Sequence, residues 1–117
     1  MTAVTLYHNP RCSKSRQTLA LLENSGVDFI VREYLSDPLS AAELNQVIAQ
    51  LGVTARDLVR TSEDEYQSMQ LDDSSRTDEE LIEAIVQAPI LMQRPIVVAG
   101  NQARIGRPPE SVLEILQ

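Results

Sequence analysis

Short apolar runs alternate with helix-period stripes along this chain. Ala3 to Tyr7 (Ala-Val-Thr-Leu-Tyr) is short, apolar and partly β-branched, which predicts a buried strand stopped before Pro10. Ser13 to Asn24 is built of good helix formers with Leu19 and Leu22 on one face, and Gly26 is placed to end that helix. Asp28 to Leu35 predicts a second strand. Two strands flanking one helix in about 30 residues make a βαβ unit with parallel strands. In the middle, Ser40-Ala-Ala-Glu43 and Thr77-Asp-Glu-Glu80 have the form of capping boxes. Apolar stripes follow each of them: Leu44, Val47, Ile48 and Leu51 in the first helix, Leu81, Ile82, Ile85 and Val86 in the second. Thr54 to Ser75 is weaker and predicts short helices joined by loops, with Glu63-Asp64-Glu65 as solvated surface. Near the end, Pro95–Ala99 and Gln102–Ile105 flank Gly100-Asn101 as the two strands of a hairpin. Pro108-Pro109 then opens a last helix carrying Val112, Leu113, Ile115 and Leu116.

The order is βαβ, a helical insert, then ββα. That is the order of an α/β, thioredoxin-like three-layer fold with a mixed sheet. A chain of 117 residues is expected to form it as a single domain over 1–117, with the insert at about 40–90. Such a length buries a core without metals or disulfides. Aromatics are scarce (Phe29, Tyr7, Tyr34, Tyr66), so that core is mostly Leu, Ile, Val and Ala.

Charge and cysteine count narrow the function. A net charge of −7 repels a phosphate backbone, so nucleic-acid binding is not expected, although a local basic pocket is compatible with it. One cysteine excludes an internal disulfide and a Cys-rich zinc site. The start of the chain has no basic-then-apolar leader, and no apolar run approaches a membrane span, so the expected location is the cytoplasm.

The candidate chemistry lies in His8-Asn9-Pro10-Arg11-Cys12-Ser13-Lys14-Ser15-Arg16, delivered by the first strand to the mouth of the first helix. Unpaired N–H groups and the helix dipole favour an anion there. Arg11, Lys14 and Arg16 act in the same direction, lowering the thiol from a free value of ~8.5. A lone cysteine is often a small buried hydrophobe, but the polar neighbours of Cys12 favour a reactive thiolate. Three thiol chemistries fail. Ser15 stands where a Cys-x-x-Cys oxidoreductase needs its second thiol, Thr18 where a tyrosine-phosphatase loop needs arginine, and the only histidine, His8, lies upstream rather than downstream.

His8-Asn-Pro-x-Cys12-x-x-Ser15-Arg16 resembles the glutaredoxin-coupled arsenate reductase family, as do Leu91-Met-Gln-Arg94-Pro95-Ile-Val-Val98 and Arg107-Pro-Pro-Glu-Ser-Val-Leu113. The resemblance runs the length of the chain, helical insert included. It implies that Cys12 attacks arsenate, that His8 helps keep that cysteine ionised, and that the Ser15 hydroxyl donates to the thiolate. It further implies that Arg60, Arg94 and Arg107 bind the anion and that Pro95 is a structural cis-proline. Arginine's planar fork suits a tetrahedral oxyanion. Where well-known members carry Gly and Thr after the cysteine, this chain has Ser13 and Lys14.

The implied cycle uses no metal and no bound cofactor. Glutathione is the co-substrate, glutaredoxin the partner, and the enzyme is expected to act as a monomer. Two other readings fit a chain of this fold. One is a glutathione-dependent thiol transferase whose pocket holds glutathione's carboxylates. The other is a non-catalytic regulator that docks on RNA polymerase, although such regulators carry Cys-x-x-Cys or lack the arginine set.

Overall fold

The computed structural model describes residues 3–116. The chain forms two compact units: one runs to Asp37 and resumes at Arg94, and the other is Pro38–Gln93.

The first unit holds a four-stranded mixed sheet. Its strands are β1 (Val4–His8), β2 (Ile30–Glu33), β3 (Ile96–Ala99) and β4 (Gln102–Ile105), in the order β2-β1-β3-β4. β1 pairs parallel with β2, His8 opposite Glu33, and antiparallel with β3, Leu6 opposite Val97. β3 and β4 form the expected antiparallel hairpin, turned through Gly100 at φ 64°. Helix α1 (Ser13–Ser25) connects β1 to β2 and ends at Gly26, which is left-handed at φ 80°.

Val4, Leu6, Leu22, Val97, Ala99, Val112 and Ile115 form the core of this unit, with Leu19, Val27, Phe29 and Leu116 packed against it. It therefore joins the sheet, α1 and the last helix. That helix, Pro109–Ile115, is wound as a 3₁₀ helix. β2 is four residues long rather than the eight expected, because Ser36 and Asp37 both donate their N–H to the Glu33 carbonyl and turn the chain away. As an edge strand it leaves Ile30 and Val31 exposed.

The second unit is built of helices. α2 (Ala41–Leu51) and α5 (Asp78–Gln87) begin at the two capping boxes read from sequence, and both boxes are fully formed. Between them, α3 (Ala55–Leu58) starts at a third box, Thr54 with Asp57, which the sequence pattern does not announce. A short α4 (Asp64–Ser68) follows, and a 3₁₀ turn, Pro89–Leu91, closes the unit. α5 packs on α2, α3 and that turn, burying Leu44, Val47, Leu58, Leu81, Ile85 and Leu91.

Candidate active site

Cys12 is the N-cap of α1. That position usually carries a side-chain oxygen that accepts from the N–H groups two and three residues on. Here it carries sulfur, which makes no cap hydrogen bond of good geometry. The loop behind it is pinned by short-range bonds. Cys12 N–H donates to Asn9 O at 3.0 Å, Arg11 N–H to Asn9 Oδ1 at 3.0 Å, and the Arg16 guanidinium to Pro10 O at 2.9 Å.

His8 and Ser15 lie beneath this loop, both buried. His8 Nδ1 and Ser15 Oγ are 2.6 Å apart, and Ser15 Oγ accepts from Asn9 N–H at 3.0 Å. These two bonds tie the end of β1 to the first turn of α1. Burial pushes His8 down from its ordinary value; Glu33 pulls it up less strongly, and Arg16 lowers it further. The imidazole is therefore neutral at neutral pH and supplies no standing positive charge to the thiol.

The positive charge comes from far along the chain. Arg107 Nη2 stands 3.7 Å from Cys12 Sγ, while its Nε donates to the Arg94 carbonyl at 2.8 Å. Arg94 and Arg107 each precede a cis peptide bond, to Pro95 and Pro108. Gly106 lies between the two segments and donates its N–H to Pro95 O at 2.8 Å. A Cβ on Gly106 would lie 2.6 Å from Thr18 Oγ1 and 2.7 Å from Pro95 Cγ, so a side chain is excluded where this loop meets α1.

Partial burial alone would raise the Cys12 thiol. It is outweighed by the Ser15 N–H, the Arg94 side chain, the Lys14 N–H and the charge of Arg107, and the net direction is down. Two of the local cations expected to activate the thiol are placed otherwise than that expectation has them. Arg16 is turned to Pro10 O, and Lys14 acts through its backbone. Ser15 likewise reaches the sulfur with its N–H, while its hydroxyl is bonded to His8 and Asn9 instead of the thiol.

His8, Cys12, Ser15, Arg94, Pro95 and Arg107 thus all belong to the first unit. Arg60 belongs to the second. Its N–H donates to Leu91 O at 2.7 Å, and its guanidinium bonds Glu63 at 3.2 Å and Ser62 at 3.4 Å. Glu63, expected to be solvated, is half-buried by that pairing. Tyr34, expected only as a strand residue, is buried, with Asn9, Arg94 and Cys12 all acting on its hydroxyl. The available signal was an aromatic with a polar tip at the carboxyl end of a parallel strand, where α/β folds place their sites.

A thiol drawn toward its ionised form under a guanidinium can attack an electrophile and hold an oxyanion against itself. Among the described residues, no three His, Cys, Asp or Glu side chains come together as a metal site would require, and no helix is long and apolar enough to cross a membrane.

Residues 7–115 match the profile of the ArsC family. The chain belongs to that family. This ArsC-family chain is 48% identical to an arsenate reductase of Haemophilus influenzae, over 97% of its own length and 99% of the relative's. It is 55% identical to a protein of Escherichia coli K12 named only as the uncharacterized protein YfgD, over 97% and 96%. Among solved structures, an arsenate reductase from Vibrio cholerae superposes with a TM-score of 0.95 at 49% identity, covering 98% of both chains. The thioredoxin-like fold of the ArsC structures is thus the fold of this chain.

Proposed function

We propose that this protein is a cytoplasmic arsenate reductase that draws its reducing thiols from glutathione and glutaredoxin. The observation that carries the reading is the Cys12 sulfur at the N-terminus of α1, 3.7 Å from the Arg107 guanidinium and lowered by backbone N–H groups and Arg94. The names of the relatives at 48% identity in Haemophilus influenzae and Rhizobium meliloti point to the same substrate.

In this mechanism the Cys12 thiolate attacks arsenic(V). An S–As bond forms and an arsenate oxygen leaves as water after taking up two protons. Arg94 and Arg107 hold the remaining oxygens and offset their charge. Glutathione thiolate then attacks the Cys12 sulfur. The S–As bond breaks with its electron pair remaining on arsenic, so arsenite leaves as arsenic(III) and Cys12 carries a glutathione mixed disulfide. Glutaredoxin's thiolate attacks the glutathione sulfur and releases Cys12 as thiolate. Every sulfur but one comes from outside, as a chain with a single cysteine requires. His8 and Ser15 act by tying the end of β1 to the first turn of α1. Arg60, held by Glu63, is assigned as the third anion-binding arginine on the family resemblance.

The test is arsenate-dependent NADPH oxidation coupled through glutathione, glutathione reductase and glutaredoxin. Activity should require every component and vanish in Cys12→Ser. Turnover of glutathione mixed disulfides without turnover of arsenate would replace this reading with the thiol-transferase one. Substantial arsenate activity in Cys12→Ser would eliminate the covalent step.

A further inference from the structure

Tyr34 stands one residue past the end of β2. Because β2 runs parallel to β1 with Glu33 opposite His8, the next step brings Tyr34 to the level of Asn9, at the edge of the sheet from which the Cys12 loop departs. The side chain is 1% exposed, and its hydroxyl is sealed from solvent without a hydrogen bond of good geometry. Buried polar groups left in that condition are rare, and each calls for an explanation. The groups around this one are those of the site. Burial pushes the phenol up and Arg94 and Asn9 pull it down, while Cys12 raises it again, so it stays a neutral hydroxyl beside the thiolate. Neutral, its oxygen can accept from the Asn9 amide N–H and from a guanidinium N–H on one rigid stem.

We propose that Tyr34 is a positioning residue of the Cys12 site, its hydroxyl directing the Arg94 guanidinium toward the Cys12 sulfur and toward the oxyanion that the sulfur attacks. This deepens the arsenate reading and rests on it only for the identity of the anion. It differs from a packing role, for which the ring alone would suffice.

Tyr34→Phe keeps the ring and removes the hydroxyl. In the folded variant the pH midpoint of Cys12 alkylation by iodoacetamide should move up. The arsenate concentration that protects Cys12 from alkylation should rise about three- to tenfold, the size of one hydrogen bond. An unmoved midpoint with unmoved protection overturns the proposal, whatever happens to the melting temperature. If the wild type shows no arsenate protection but Tyr34→Phe still moves the midpoint, the positioning role holds and the arsenate reading falls. The unmutated protein gives a second check that does not depend on the variant folding. With ¹³C at the tyrosine Cζ, assigned through Tyr7→Phe and Tyr66→Phe, the Tyr34 resonance should move as Cys12 titrates. A resonance blind to that titration overturns the proposal.

Discussion

Gly106→Ala is a small change with a large expected effect. A Cβ there meets Thr18 Oγ1 at 2.6 Å and Pro95 Cγ at 2.7 Å, well inside ordinary contact distance. Neither neighbour can yield cheaply. Thr18 is fully buried and its hydroxyl donates to Lys14 O at 2.9 Å, and Pro95 is a rigid ring inside the strand-entry loop. The clash is therefore relieved by moving the loop away from α1, and overpacking of this kind costs about 1–3 kcal/mol. For a domain of this size each kcal/mol lowers the melting temperature by roughly 3–6 °C, so a fall of about 3–18 °C is expected in a thermal melt. The displaced loop carries Arg94 and Arg107, so the alkylation midpoint of Cys12 should also rise, which a purely global destabilisation would not cause. A variant with unchanged melting temperature and unchanged thiol midpoint would refute the claim that Gly106 sets the distance between the arginine loop and the helix.

Two further predictions separate roles that the sequence leaves entangled. Ser15→Ala should lower stability by about 1–3 kcal/mol, because His8 Nδ1 and Asn9 N–H lose a buried partner; the alkylation midpoint should change little, since the Ser15 N–H is what acts on the sulfur. Denaturant melts and the alkylation profile check both halves, and a large rise in the midpoint with unchanged stability would reinstate the hydroxyl as the donor. Glu63→Gln should release Arg60 from its ion pair and lower the KM for arsenate about two- to fivefold with kcat unchanged, as expected for a partner worth ~0.5–1 kcal/mol. A raised KM would show that Glu63 orients Arg60 rather than occupying it.

What was legible in the sequence was what local pattern encodes. The Ser40 and Thr77 boxes, the Gly26 stop and the Gly100 hairpin are each specified within a few residues, and each formed as read. The Thr54 box is faint in the sequence because Asp57 replaces the usual Glu or Gln and the helix behind it is only four residues long. The expected β2 is longer than the observed one because strand composition continues through Tyr34 and Leu35 while the turn is set by bonds to Glu33 O. The site itself divides in the same way. The position of Cys12 at a helix start follows from strand, proline and helix in succession, but the source of its activation does not. Arg16, four residues away, is turned aside to Pro10, whereas Arg107, 95 residues away, reaches the sulfur. Only the family resemblance singled out Arg94 and Arg107, since proximity in sequence says nothing about which arginine the sheet brings back to the thiol. Glu63 shows the converse limit: a run of acids reads as solvated, yet one member is drawn in by Arg60.

The central claim is that backbone N–H groups of α1 together with Arg94 and Arg107, rather than the neighbouring cations, make Cys12 a thiolate. The most direct measurement is the rate of Cys12 alkylation as a function of pH in the wild type, Arg107→Ala and Arg11→Ala. Because the thiol is lowered in the folded protein, the wild-type midpoint should fall below that of the same thiol in the unfolded chain. It should rise in Arg107→Ala and stay in place in Arg11→Ala. A wild-type midpoint at or above that of the unfolded chain, or a shift produced by Arg11→Ala and not by Arg107→Ala, would contradict the account.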